Sequence, residues 1–345
     1  MRKHFFLLGF VLMLIPALYA QEENKLQKLK TAFRSESFSL YGYGQIEYNL
    51  TEHPEGNLPN NSLDLARAIL FATGKLGDHN QYGYMLMYDF GPNPNLHELY
   101  GEWTPLKAVQ LRIGQYKIPF TLENPMSPTR IETIRFSRSA SAMSGSAGDV
   151  NQFDLNGNST GPKAGRDAGV QLSGLLFPQN EFFQLEYYAG LFNGTGINTK
   201  DNDNHKDFIG TAYWHPVRGL RLGGSVYSGK LYNRNRDRWT TGAEYNGRHF
   251  YARAEYIAAN DGGLKRNGYY GSLVWKVIPD RWEIVGKYDF YNNDIHLDTN
   301  GVSDITAGLN YYFAPLSRIQ LNYIYSDDAL NGTNNTLLAQ LQVFF

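Results

Sequence analysis

Hydrophobic and polar residues alternate along most of the chain, from residue 37 to the C-terminus. In the last segment the apolar positions are Leu337, Ala339, Leu341, Val343 and Phe345. The residues between them include Gln340 and Gln342. A period of two residues predicts β-strands that have one apolar face and one polar face. The alternating segments are about ten residues long, which is the length of a tilted strand that crosses a bilayer.

The alternation predicts sixteen strands separated by polar connectors. They are expected at 37–48, 62–74, 80–90, 96–104, 109–116, 166–177, 181–192, 207–215, 219–231, 236–246, 248–259, 267–278, 281–291, 302–313, 316–326 and 335–345. Short turns such as 178–180 follow the even-numbered strands, whereas longer loops rich in Asn, Asp and Gly follow the odd-numbered ones. Short turns on one side and long loops on the other are typical of outer-membrane barrels. We therefore predict an all-β fold, a 16-stranded antiparallel transmembrane β-barrel over residues 37–345.

Sixteen strands enclose a lumen wide enough for water, so the barrel predicts a pore. In lipid every backbone polar group must pair internally, and a sheet that is apolar outside and polar inside has to close on itself. The alternative is a secreted, soluble β-rich binding protein such as a sandwich or propeller. Strands of soluble proteins are usually only about five or six residues long and present polar residues to water. The segment length and the apolar face favour the membrane barrel.

The N-terminus has the features of a secretory signal peptide. Arg2 and Lys3 precede an apolar run over 5–15, and Pro16 and the small residue Ala20 follow. The run is too short to span a bilayer, which takes about 20 residues, so cleavage after Ala20 is the expected fate. We predict a signal peptide at 1–20, a short polar periplasmic segment at 21–36, and a location in the bacterial outer membrane.

Composition narrows the function classes further. The chain contains 25 Tyr, 20 Phe and 5 Trp, which suits interfacial girdles at the strand ends. Lys and Arg number 32 against 33 Asp and Glu, so no basic field favours nucleic-acid binding. The absence of Cys excludes thiol nucleophiles and Cys-based zinc sites. We predict no cofactor, no metal site and no nucleic-acid partner; the expected partners are outer-membrane lipid and small anions or other hydrophilic solutes.

One connector, residues 117–165, is far longer than the others and is the candidate functional loop. As the third long loop it is expected to fold inward and narrow the lumen. Its basic residues are Lys117, Arg130, Arg135, Arg138 and Lys163. The three arginines are close together in sequence, and clustered guanidinium groups can bind phosphate-like anions through two hydrogen bonds each. Alternatively, the same arginines pair with carboxylates of the wall and only hold the loop in place.

The strand positions expected to face the lumen carry more acids than bases. The acids are Glu47, Asp89, Glu98, Glu102, Glu186, Glu244, Glu255, Glu283 and Asp289. The bases are Arg67, Arg112, Arg221, Arg253 and Lys287. Composition of the wall therefore does not by itself predict anion selectivity.

The stretch from Leu111 to Glu123 resembles the R-x-G-Q-aromatic-K-x-P-F segment of the phosphate-selective porin O and P family. Other matching segments are 88–90, 98–103, 165–174 and 190–194 with 206–208. The resemblance implies a 16-stranded, trimeric porin whose inward loop and lumenal basic residues bind phosphate or related anions. The matching basic positions are Arg112, Lys117, Arg135, Arg138 and Arg166. The second strand has only Arg67 where the family often has paired arginines, which favours a general porin over a phosphate-specific one.

The function predicted is passive diffusion of small hydrophilic solutes and ions, with a preference for anions or phosphate as the finer possibility. The alternative from another class is an outer-membrane β-barrel enzyme of the lipase or protease type. Such an enzyme needs a nucleophile, a base and an orienting group. The sequence contains neither G-x-S-x-G nor H-E-x-x-H, and His97-Glu98 is followed by Leu-Tyr-Gly. No catalytic residue is therefore predicted.

Overall fold

The structure is a computed structural model that describes residues 35–53, 60–145, 165–180, 182–201, 204–231, 234–297 and 300–345. The predicted signal peptide and most of the segment 21–36 lie outside these residues, as does Lys163. None of the helices in the described ranges is long and apolar enough to cross a membrane.

Sixteen β-strands form one closed sheet. They are β1 (Ser39–Thr51), β2 (Asn61–Leu76), β3 (Tyr82–Asp89), β4 (Asn95–Leu106), β5 (Val109–Lys117), β6 (Arg166–Leu176), β7 (Gln184–Phe192), β8 (Asp207–Val217), β9 (Leu220–Leu231), β10 (Arg234–Asn246), β11 (Phe250–Asp261), β12 (Leu264–Ile278), β13 (Trp282–Asn292), β14 (Gly301–Ala314), β15 (Ser317–Asp328) and β16 (Gly332–Phe344). Every strand pairs antiparallel with its sequence neighbours, and β1 pairs with β16 to close the barrel. In the described part of the connector between β5 and β6 lies a short helix, α1 (Arg138–Ser144). The predicted 16-stranded barrel is confirmed.

The strands differ from the predicted segments mainly at the ends. β16 begins at Gly332 rather than at 335, and β12 begins at Leu264 rather than at 267. Apart from Leu264, the residues in these added stretches are glycine or polar, so the sequence pattern gives no indication of a strand there. Backbone hydrogen bonds extend a hairpin past the apolar band because pairing does not depend on side-chain polarity. Alternation therefore reports the lipid-facing part of a strand and not its full length.

The outer face of the barrel is apolar and the inner face is polar. On β15 and β16 the outward residues Ile319, Leu321 and Leu341 are 40–48% exposed, whereas the inward Gln320 and Gln342 are fully buried. In a single closed sheet, this pattern places the apolar face against lipid and the polar face around the lumen. A sandwich has two sheets packed over a dry apolar core. The closed topology thus excludes the soluble sandwich.

Gly114 is the glycine of the segment that matches R-x-G-Q-aromatic-K-x-P-F, and its conformation explains why a glycine is needed there. Its φ is +137°, a conformation that L side chains rarely adopt, and a Cβ there would meet the Leu99 carbonyl oxygen and the backbone of Tyr100. Glycine therefore lets β5 approach β4 closely between the lumenal residues Arg112 and Tyr116. The motif glycine is a requirement of strand packing.

Candidate functional site in the barrel lumen

The first part of the long connector, residues 118–145, contacts inward-facing residues of the barrel wall. The backbone N–H of Leu122 donates to both carboxylate oxygens of Glu255 at 2.9 Å. Farther along, Arg318 donates to the Ile131 carbonyl oxygen at 2.7 Å. Most of the apolar side chains of this segment, including Phe120, are buried. This part of the connector is therefore fixed to the wall by both hydrogen bonds and apolar packing.

A buried ion network joins the same segment to β11. The Arg253 guanidinium donates to Glu132 at 2.8 Å and to Glu123 at 3.1 Å, and all three side chains are nearly inaccessible to water. Ser272 donates to Glu132 at 2.5 Å, and the Lys287 ammonium lies 3.7 Å from Glu123. Burial opposes ionisation of Glu132, but the charges of Arg253 and Lys287 and the hydrogen bond from Ser272 together outweigh it, so the pKa of this loop carboxyl is lowered. The network holds the connector through charges that neutralise one another.

Helix α1 is the next anchor of the connector. The N–H of Ser137 donates to Glu123 at 2.7 Å, and the N–H of Arg138 donates to Asp289. Ala140 and Met143 are buried in a cluster with residues of the inner wall. A helix of seven residues is too short to be stable alone, so these contacts determine its position.

Two of the predicted loop arginines pair with wall carboxylates. Arg135 forms an ion pair with Glu47 through both of its terminal nitrogens, and Arg138 pairs with Asp304. Their side chains are nevertheless 52% and 42% exposed, respectively, although their partners are largely buried. These ion pairs agree with the interpretation that the arginines hold the loop in place. Both arginine side chains nevertheless remain accessible to water.

Arg130 differs from its two neighbours in the cluster. Thr129 and Ile131 on either side of it are buried against the wall, and Arg130 is exposed. Within the described part of the chain its guanidinium forms no hydrogen bond and no ion pair. Among the described residues Arg130 is therefore an exposed charge without an ion-pair partner.

The remaining predicted residues occupy β5, β6 and the start of the loop. Arg112 donates to Glu102 at 2.9 Å, and its guanidinium carbon lies 4.3 Å from the centre of the Tyr100 ring. Arg166 donates to Glu98 at 2.8 Å.

Lys117 is held differently from these arginines. It donates to the carbonyl oxygens of Asn124 and Met126 at 2.8 and 2.5 Å. Its ammonium thereby fixes the first turn of the connector, and its partners are neutral.

Four buried arginines of the inner wall were not predicted from the sequence. They are Arg236, Arg238, Arg266 and Arg318. Arg236 pairs with Asp207, whereas Arg238 and Arg266 share Asp261. The first two lie two positions apart in the sequence Arg234-Asn-Arg-Asp-Arg238, so their common face could have been found. These four arginines add to the five predicted bases of the lumenal wall, and their partners Asp207 and Asp261 add to its predicted acids.

The chain matches a known protein family over most of its length. The family described as phosphate-selective porin O and P matches residues 38–249 and 224–345, which together cover most of the sequence. The chain belongs to this porin family. Together with the barrel fold, membership makes the protein an outer-membrane channel. A search of curated protein sequences finds no significant match.

Solved structures similar to this porin are also barrels. The anion-selective porin from Comamonas acidovorans has a TM-score of 0.67 and 14% identity, over 90% of this chain and 99% of that one. OmpF of Salmonella typhi in complex with daunomycin has a TM-score of 0.65 and 12% identity, over 89% and 97%. The channel DcaP of Acinetobacter baumannii has a TM-score of 0.54 and 14% identity, over 89% and 97%. At these identities the similarity establishes the fold.

Proposed function

We propose that this porin is a passive channel for small hydrophilic solutes and ions that prefers anions, with phosphate-like oxyanions as its best ligands. The observation that carries the proposal is the exposure of charged side chains inside the barrel. Arg135 and Arg138 lie on the inner side of the wall and are about half exposed, and Arg130 is exposed and unpaired within the described residues. Charges that remain hydrated inside a closed sheet require water in the lumen.

The balance of paired and unpaired charges supports the anion preference. Most lumenal carboxylates are neutralised by arginines, as Glu102 is by Arg112 and Glu98 by Arg166. The exposed guanidinium of Arg130 has no carboxylate partner among the residues that the structure describes. An ion that passes the loop therefore meets a positive potential, which attracts anions and repels cations. The name of the Comamonas acidovorans relative, an anion-selective porin, is consistent with this preference.

The test is a reversal-potential measurement on purified protein in planar bilayers. In a KCl gradient, an anion-preferring channel gives a reversal potential of the sign expected for chloride. Phosphate added at low millimolar concentration should reduce the chloride current, because the two anions compete for the same guanidinium groups. A reversal potential of the sign expected for potassium would contradict the anion preference. Chloride current that is insensitive to phosphate would contradict the oxyanion preference alone.

We further propose export by cleavage of the signal peptide after Ala20 and assembly as a homotrimer. Mass spectrometry of the protein isolated from outer membranes should find Gln21 as the first residue. Chemical cross-linking in mild detergent should give a trimer band. Retention of residues 1–20, or a monomer after cross-linking, would contradict the respective proposal.

A further inference from the structure

Three consecutive short turns at one end of the barrel each contain an arginine. The turns are 218–219 between β8 and β9, 247–249 between β10 and β11, and 279–281 between β12 and β13. Their arginines are Arg218, Arg248 and Arg281, and all three side chains are exposed. Asp280 is the single acid in these turns. We call the three arginines the basic arc.

The charges of the basic arc are not neutralised by a neighbouring side chain. Within the residues that the structure describes, the three guanidinium groups form no ion pair and no hydrogen bond, although Asp280 precedes Arg281 in the sequence. At the opposite end of the barrel, by contrast, the exposed Lys206 pairs with Asp201. Unpaired charges of one sign along a surface create a potential that attracts an oppositely charged partner. The basic arc therefore suits an anionic partner.

Hydrogen bonds join the strand ends that carry the basic arc. The N–H of Asn246 donates to the carbonyl oxygen of Gly219, and the N–H of Lys276 donates to that of His249, both at 2.8 Å. The Lys276 ammonium also donates to Asn246 Oδ1 at 2.9 Å and to the carbonyl oxygen of Gly247 at 3.0 Å. A Cβ at Gly219, whose φ is +84°, would meet the Asn246 carbonyl oxygen. The backbone of the arc is thus in place before any ligand binds.

Outward-facing aromatic residues border the basic arc on the outer surface of the barrel. They are Trp214, Tyr245, Phe250 and Trp275, each of them 42–48% exposed. Rings of Trp and Tyr are typical of the boundary between the hydrocarbon of a membrane and its headgroups. The three turns continue the strands past this boundary, and an arginine side chain is long enough to reach along it. The guanidinium groups therefore lie at the depth of the lipid headgroups.

We propose that the basic arc binds the phosphate groups of anionic glycerophospholipids, such as phosphatidylglycerol, in the periplasmic leaflet of the outer membrane. Short turns lie on the periplasmic side of outer-membrane barrels, and basic groups at headgroup depth attract anionic lipids. A planar guanidinium can donate two parallel hydrogen bonds to one phosphate, while the lipid chains contact the aromatic residues beside it. The fixed backbone lowers the cost of ordering the site. The site is on the outside of the barrel and does not depend on the ion preference of the lumen.

Quenching of tryptophan fluorescence in the reconstituted protein tests the proposal. Trp214, Trp275 and Trp282 are near the arc, so a brominated lipid that binds there quenches their emission. Phosphatidylcholine vesicles that contain increasing amounts of brominated phosphatidylglycerol, with brominated phosphatidylcholine as the reference, give the relative binding constant of the two lipids. The variant R218Q/R248Q/R281Q removes the arc. The matched control K200Q/K206Q/K265Q removes three exposed positive charges at the opposite end. Heat-modifiable migration on gels shows which variants are folded barrels.

The expected result is that the wild-type protein prefers phosphatidylglycerol at least about twofold at low salt and loses most of this preference at about 1 M salt. The arc variant should bind both lipids equally, and the control variant should retain the wild-type preference. Equal binding of both lipids by the folded wild type would overturn the proposal, as would a preference that both variants lose to the same extent. Equal lipid binding together with arc-dependent cosedimentation on purified peptidoglycan would overturn it in favour of a cell-wall partner.

Discussion

The three loop arginines that are close in sequence have different electrostatic surroundings. Arg135 and Arg138 pair with Glu47 and Asp304, whereas Arg130 forms no ion pair in the described part of the chain. Removal of a paired arginine also exposes the negative charge of its partner, so its effect combines two changes. The contribution of a single positive charge is measured most simply at Arg130.

We expect R130A to lower the anion-to-cation permeability ratio without a change in the stability of the barrel, because the side chain forms no ion pair in the described residues and is exposed. The reversal potential in a salt gradient measures the ratio, and thermal unfolding in detergent measures stability. The effect should weaken at high salt, since the Debye length falls from about 10 Å at 0.1 M to about 3 Å at 1 M. A ratio equal to that of the wild type at low salt would show that Arg130 does not act on permeating ions.

The connector that begins after β5 packs against the inner wall of the barrel. Its main anchor is Arg253, which bridges Glu123 and Glu132 in a buried site. Loss of one member of a buried ion network leaves unpaired charges and costs about 3–5 kcal/mol. The consequence of breaking this network should be a loosened loop, while the strands stay paired through their own backbone hydrogen bonds.

We predict that R253M raises single-channel conductance and current noise, because the connector loses its ion pairs with β11 and retains there the hydrogen bonds from Leu122 to Glu255. Single-channel recording measures both, and thermal unfolding in detergent should show a lowered midpoint. R221M is the matched control, since Arg221 also pairs with lumenal carboxylates but its pairs lie on strands. Equal conductance for R253M and the wild type would indicate that the connector does not depend on this anchor.

The two faces of a strand should respond in opposite ways to the same substitution. Leu321 faces outward near the middle of β15, and an arginine there would meet the centre of the bilayer at a cost of about 2–4 kcal/mol. We expect L321R to lower the free energy of unfolding in lipid vesicles by that amount. Q110R places the same side chain on the inner wall and should cost much less. A similar loss for both would contradict the assignment of the faces.

At the scale of the whole molecule, the strand number and the closure of the barrel could be predicted because lipid imposes a strict alternation of polarity. Leu309, Leu321 and Leu341, for example, all occupy outward-facing apolar positions of this alternation. The arrangement inside the lumen could not be predicted in the same way. Whether Arg135 pairs with Glu47 or faces water depends on contacts between residues 88 positions apart, about which periodicity carries no information.

The hydrogen bonds that join Gln342, Gln45 and Arg67 on the inner wall are a further example of this limit. Each residue could be assigned to the inner face from its own strand, yet their alignment depends on the closure between β1 and β16 and on a bulge after Gln45. Strand register across the closing seam is a property of the folded barrel. Sequence patterns therefore predict which side chains enter the lumen, and the fold determines which of them meet.

The central claim is that a closed, polar-lined sheet surrounds a column of water that crosses the outer membrane. The most direct measurement is the conductance of planar bilayers after addition of the purified, heat-modifiable protein. The account predicts stepwise current increases of uniform size that persist at both polarities of small applied voltage. Bilayers that stay silent, although the same sample is folded and inserts into vesicles, would contradict it.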